Sequence, residues 1–306
     1  MSRAVRIAVQ SLAAEQDGVL SRTQAQSLGA DRWLVRREVE AGRWRAIGLQ
    51  SVACHRLELS TRARWRITMW EAGEHAALDG ATALEAAGLA NFTDRIHVIV
   101  PWPYGARSFD GAVVHNSRLW TPEDFIEKDG LRYTRPDVAA IRAAMYARSN
   151  RAAATVMAMT VQQRLTTGEL VLLQARRLNR HKRRPLILEV ARDIAEGAEA
   201  LSELDFAKLC RMRGLPPPSR QVVRRGRNGR VYLDVYWDDF RLAIEIEGIH
   251  HDAPENVIDD SLRQNDLTIG RDVVLRIPVL GLRTCPDAFM DQVEQMLNGC
   301  GWRRAA

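Results

Sequence analysis

Between residues 231 and 247 apolar and polar side chains alternate with a period of two. Val231, Leu233, Val235 and Trp237 alternate with Tyr232, Asp234 and Tyr236; beyond Asp238 and Asp239 the pattern resumes as Leu242, Ile244 and Ile246 against Ala243, Glu245 and Glu247. A period of two sends successive side chains to opposite faces of a strand. The stretch therefore predicts a hairpin. A two-residue turn at 238–239 would set Asp234 opposite Ala243 and place Asp234, Glu245 and Glu247 on one sheet face. Val273 to Ile277 predicts a further strand, with helices from Glu203 and near Arg263 covering the sheet.

The N-terminal pattern has the helical period instead. Ser21 reads as the N-cap of a short helix, Gly29 as a break, and Asp31 as the start of a second helix that carries Arg32, Arg36 and Arg37 and stops at Gly42. Residues 44–52 read as a short strand. Helix, turn, helix and strand is the plan of a winged helix-turn-helix, whose second helix enters the major groove. Farther on, residues 75–89 predict an Ala-rich helix, Ile96–Pro101 and Ala112–His115 predict strands, and residues 135–176 predict several helices. His97 and His115 are expected to be hydrogen-bonded at strand edges rather than to bind a metal.

Charge sharpens the picture in two places. Residues 1–66 hold twelve arginines and no lysine against six acidic residues, which equals the net charge of +6 of the whole chain. Such a block is an electrostatic footprint for phosphates, although solvation of helix surfaces is the plainer use of the same arginines. A second basic run spans Arg176 to Arg184, and a solvated helix end or linker is its simpler reading. Cys54, Cys210, Cys285 and Cys300 are far apart, which argues against both a zinc site and a disulfide framework. No apolar run is long enough for a membrane helix and no signal-peptide core is evident, so no membrane partner is expected and the cytoplasm is the expected location.

Three carboxylates on one patch repel unless their pKa values rise or a cation sits among them. An Asp, a hairpin-length gap and then Glu-x-Glu on the next strand resembles the core of the PD-(D/E)xK nucleases. With Gly248, His251 and the stretch RQNDLTIGRDVVLRIP at 263–278, it is similar to the branch related to very-short-patch repair endonucleases. Glu203, eleven residues before Gly214-Leu215-Pro216, resembles that branch's first-helix acid. The likeness spans roughly residues 200–300. One position departs from the signature, because Glu247 stands where a lysine is usual. Residues 18–44, through Gly18-Val19 and Gly42-Arg43-Trp44, resemble the N-terminal domain of abortive-infection type IV antitoxins. Thr134 and Pro136 are similar to the middle of actinobacterial antitoxin-nuclease fusions, ahead of a helix read as VAAIRAAMYA.

The resemblance implies an α/β chain with three parts: a winged helix at 1–66, a mixed α/β middle at 67–184 and a restriction-endonuclease-like core at 185–306. The implied activity is a magnesium-dependent DNA endonuclease, with manganese as a substitute ion, docked on double-stranded DNA. Its implied catalytic set is Glu203, Asp234, Glu245, Glu247, His251 and Arg263. Asp234, Glu245 and the main-chain carbonyl of Ile246 would hold the metal, and His250 or His251 would trade protons. Arg263 and Arg276 would meet the scissile phosphate. Arg32, Arg36, Arg37 and Arg43 would contact DNA. The competing expectation is a non-catalytic DNA-binding antitoxin or transcriptional regulator, partnered by a cognate toxin, that uses a nuclease fold as a platform.

Overall fold

Local capping starts the N-terminal helices where the sequence places them. Ser21 and Gln24 form a reciprocal capping box, the Gln24 amide donating to Ser21 Oγ at 3.1 Å and the Ser21 amide donating to Gln24 Oε1 at 3.0 Å. Asp31 Oδ1 accepts from the Leu34 amide at 2.8 Å. Between the two helices Gly29 takes φ +85°, a conformation that side chains with a Cβ rarely adopt. The computed structural model describes residues 3–92, 94–118, 120–196, 206–225, 231–248 and 273–304. It is mixed α/β, and its described strands form three sheets.

The chain divides into two compact units, Met1–Ala139 and Ala140–Ala306. The first begins with α1 (Arg3–Glu15), β1 (Val19–Ser21), α2 (Arg22–Ser27), α3 (Arg32–Glu40), β2 (Arg45–Ala46) and β3 (Ser51–Ala53). The single strand expected over 44–52 is thus two strands. Between them the loop is gathered by the buried Glu71 carboxylate, which accepts from the Leu49 and Gln50 amides and from Ser51 Oγ. β3 lies between β1 and β2. Val9, Ala13, Leu20, Val35, Trp44 and Val52 make the small core beneath.

Arg66, buried in α4 (Thr61–Ala72), donates to the Asp129 and Gly130 carbonyls at 2.8 Å each and pairs with Asp17 at 3.3 Å. One guanidinium therefore joins the N-terminal elements to a five-stranded sheet of order β6-β5-β4-β8-β7. Its strands are β4 (Ala77–Leu78), β5 (Ile96–Pro101), β6 (Ala112–Ser117), β7 (Phe125–Lys128) and β8 (Leu131–Thr134). The helix expected over 75–89 is shortened to α5 (Gly80–Ala87), because Ala77 and Leu78 pair with Ile99 and Val98. Sheet pairing here overrides the helix preference of alanine.

Helix α6 (Pro136–Tyr146) begins in the first unit and ends in the second. It contains Asp137, one residue before the stretch VAAIRAAMYA, and Arg142 within it. Then follow α7 (Asn150–Gln162), α8 (Gly168–Arg177) and α9 (Arg184–Glu196). The expected boundary at 184 falls between two packed helices. Gly168 permits their approach, since a Cβ there would sit 2.9 Å from Ala195 Cα. The basic run between them is largely structural: Arg183 donates to the Met145 carbonyl at 3.0 Å and Arg184 to that of Leu178 at 2.6 Å, which ties up ends of neighbouring helices.

The second unit continues through α10 (Phe206–Met212), β9 (Arg220–Arg225), β10 (Val231–Trp237), β11 (Leu242–Glu247), β12 (Val273–Pro278), α11 (Val279–Thr284) and α12 (Pro286–Gly299). Its sheet has the order β12-β11-β10-β9, with β11 antiparallel to β10 and parallel to β12. Leu233, Val235, Trp237, Leu242, Ile244, Ile246 and Ile277 pack on one face with Phe206, Val293 and Leu297. A bidentate pair, Arg283 to the buried Asp193 at 2.9 and 3.1 Å, fastens α11 to α9. Burial pushes the Asp193 carboxyl pKa up, against the pull of that arginine.

Candidate functional site

With the apolar positions of the four-stranded sheet turned to the helices, the polar positions share its other face. The turn between β10 and β11 is longer than expected: Asp238–Phe240 make a 3-10 turn and Arg241 follows at φ +49°. Ser219 Oγ holds the turn by accepting from the Asp238 amide at 3.0 Å. Relative to a two-residue turn, each β10 residue pairs two residues farther along β11. Asp234 consequently pairs with Glu245, and Ala243 faces Tyr236. Because the shift is two residues along the strand, parity is kept and the shared face survives.

One row now crosses the whole sheet, Val222, Asp234, Glu245 and Arg276. Two carboxylates directly opposite each other on neighbouring strands are destabilising by themselves. The neighbour on the far side supplies the counter-charge. Arg276 Nε lies 3.4 Å from Glu245 Oε2, with the Arg276 side chain 33% exposed and Glu245 only 2%. A sequence reading that offered only raised pKa values or a metal missed this third route, since nothing in the spacing fixes the parallel pairing of β11 with β12. Glu247 lies two residues along the same face, opposite Tyr232 and Pro278. Ile246 turns its side chain into the core, so only its main chain remains for a ligand.

Glu203, His250, His251 and Arg263 lie outside the described residues. Among the described residues, no three His, Cys, Asp or Glu side chains converge as a metal cage. Two opposed carboxylates nevertheless suit a hard cation such as magnesium, which commonly takes one or two carboxylates and keeps several waters. The oxygen donors of Asp234 and Glu245 meet that description, with Arg276 competing for the second.

A separate surface lies on α3. Val35 and Glu38 are buried, while Arg32, Trp33, Arg36, Arg37 and Glu40 face outward. Arg36 Nε pairs with Glu40 Oε1 at 2.7 Å, and the Arg32 guanidinium lies 4.9 Å from the Trp33 ring centre. Arg43 is engaged differently. Its Nε donates to Glu38 Oε2 at 2.5 Å, and this bond leads the causes that hold the Glu38 carboxyl below its ordinary pKa. Between α3 and β2 lies an open pocket of about 580 Å³ lined by Arg22, Arg32, Trp33, Arg36 and Glu40 among others. Trp33 is the residue the sequence reading passed over. Its spacing to Arg36, Arg37 and Glu40 is i+3, i+4 and i+7, which already placed it on the solvent side.

The chain matches no family model and no curated protein. His97 Nδ1 and His115 Nε2 meet at 2.9 Å on adjacent strands β5 and β6, as the hydrogen-bonded reading expects. Burial lowers the pKa of His97, partly offset by Asp94 and Asp79. Cys54 is pushed up to about 12 by burial, which makes its thiol a poor nucleophile.

Proposed function

We propose that this protein is a metal-dependent phosphodiesterase acting on double-stranded DNA, with its reactive centre on the polar face of the β9–β12 sheet. The observation that carries the reading is the pairing of Asp234 with Glu245, on the face of the sheet turned away from its apolar core. A sheet kept for packing alone gains nothing from opposed carboxylates.

A magnesium ion held by Asp234 and Glu245, with the Ile246 carbonyl as a third donor, would lower the pKa of a bound water and polarise the phosphate. Around it the chain's own groups have separate tasks. Asp234 and Glu245 orient the donors from two strands whose register is fixed by their apolar partners. Arg276 neutralises the buried Glu245 and, with its side chain partly exposed, lies where a phosphate oxygen would add negative charge. Glu247 stands where the related nucleases carry a lysine, so the cationic role passes to Arg276 in this proposal. Glu203, His251 and Arg263 remain proposed contributors. The α2–α3 helices and the β2–β3 strands are the proposed winged helix, with Arg32, Arg36 and Arg37 contacting phosphates and Arg43 held by Glu38 beside them.

A second reading is favoured by one observation. The Arg276–Glu245 pair sets a positive charge beside the carboxylate without a metal, which suits a DNA-binding regulator or antitoxin with no turnover. Incubating the purified chain with supercoiled plasmid in magnesium, manganese or EDTA separates the two. Nicking that needs the divalent ion supports the enzyme; retained DNA binding with no nicking in any ion supports the regulator.

A further inference from the structure

Trp33 gives the α3 surface a chemistry that phosphate contacts alone do not require. A helix face that merely solvates arginines has no reason to carry an indole that is 61% exposed. The indole stands at the wall of the cavity between α3 and β2, and the cavity volume, about 580 Å³, falls within the range of small-ligand sites. Val35, Val39 and Ala46 make its lining partly apolar. Arg22, Arg32 and Arg36 line it with a single carboxylate, Glu40, one oxygen of which is paired with Arg36 at 2.7 Å. The balance is cationic, with one acceptor. A planar aromatic ring, an apolar lining and a cationic rim complement a group that is flat at one end and anionic at the other.

We propose that the cavity between α3 and β2 binds one unpaired nucleotide, its base against Trp33 and its phosphate among Arg22, Arg32 and Arg36. The base stacks on the indole because every nucleobase offers a flat π-face, and guanidiniums add to the stack as well as to the phosphate contact. Glu40 accepts from an exocyclic amine, so adenine, guanine and cytosine are preferred over thymine and uracil. The same chemistry is offered by a free nucleotide and by a nucleotide unstacked from a strand. The site goes beyond phosphate docking on a duplex, whose paired bases present no free face. It is also independent of whether the β9–β12 sheet cleaves anything.

The test is equilibrium binding to the full chain in EDTA, where no cleavage intervenes. The probes are AMP, TMP, an oligo-dA strand and a blunt duplex of equal length, each also titrated against Trp33→Ala and Arg22→Ala. The expected result is binding of the dA strand that weakens roughly tenfold or more in Trp33→Ala, as loss of one base–aromatic stack gives. Arg22→Ala should weaken it as well, with a shallower salt dependence. Binding of AMP in preference to TMP, lost in the same variants, identifies a free nucleotide as the source. Binding of the strand without AMP identifies the unstacked base. The proposal is overturned if no probe binds. It is equally overturned if the duplex binds as well as the strand and Trp33→Ala changes neither, or if Trp33→Ala instead abolishes self-association of the chain, which would make the face a contact between copies. Because Trp33 lies on the surface, its removal leaves the N-terminal core intact. A failure here would leave the nicking assay of the C-terminal sheet unaffected.

Discussion

Replacing Arg276 by alanine leaves Asp234 and Glu245 opposed with the guanidinium beside Glu245 removed. Directly paired side chains on antiparallel strands have Cβ atoms about 5 Å apart. Two unit charges at about that separation repel by about 3 kcal/mol at an effective dielectric of ~20. The observed attraction, Arg276 Nε to Glu245 Oε2 at 3.4 Å, is discounted because a third of the Arg276 side chain meets solvent, so its loss costs less than the ~3–5 kcal/mol of a fully buried pair. We expect Arg276→Ala to lower the stability of the second unit by about 2 kcal/mol at neutral pH in EDTA. Hydrogen exchange of the β10–β12 amides reads this locally, which avoids assuming one transition for a chain of two units. Saturating magnesium should return the loss, through binding to the native state alone. A loss below ~0.5 kcal/mol, the range of ordinary surface substitutions, would refute the view that Arg276 neutralises this pair. A loss that magnesium leaves untouched would refute the carboxylates as its ligands.

Other expectations concern separate parts of the chain. Changing Arg32, Arg36 and Arg37 together to Ala should weaken binding to duplex DNA and reduce its log–log salt slope by about one unit per lost phosphate contact, read by titration at several salt concentrations; an unchanged slope would assign these arginines to solvation. Asp193→Ala should destabilise the second unit by about 3 kcal/mol, and a double-mutant cycle with Arg283→Ala should show strong coupling, whereas additive losses would mean the pair is energetically idle. For His97, burial lowers the folded pKa below the ordinary 6.5. The unfolded chain therefore takes up the proton first, and the first unit should lose stability as pH falls below about 6.5, down to the lower folded value. Urea midpoints across that window should fall in the parent and fall less in His97→Gln; equal slopes would exclude His97 as the cause. Asp31→Ala should cost about 1 kcal/mol by removing the bond to the Leu34 amide, measured by urea unfolding of the first unit.

The sequence was most legible where one local rule decides the outcome. The capping residues Ser21 and Asp31 announced α2 and α3, and strict alternation announced β10 and β11 with their residues on the correct faces. Elements set by distant pairing were not legible. Ala77 and Leu78 became a strand because Val98 and Ile99 lie beside them, and residues 44–52 divided because Glu71 gathers the loop from twenty residues away. Helix α1 and the strands β7 and β8 carry no capping or turn signal that the reading used. In the candidate site, Asp234, Glu245 and Glu247 were legible from parity. Their exact partners were not, since the Arg241 conformation sets the register and the parallel pairing of β12 brings Arg276 to Glu245. On α3 the helical period placed Trp33 with the arginines, but only the approach of β2 makes a cavity beside it.

The central claim, that the Asp234–Glu245 pair is the centre of a DNA-cleaving activity, is tested most directly by comparing the parent chain with Asp234→Asn and Glu245→Gln on supercoiled plasmid in magnesium, with duplex binding measured in parallel. Both changes keep shape and remove one negative charge. The account predicts magnesium-dependent nicking by the parent, its loss in each variant, and duplex binding equal to or tighter than the parent's, because a carboxylate near the phosphate has been neutralised. Nicking that persists undiminished in either variant, or a parent that binds duplex and never nicks it, would contradict the account.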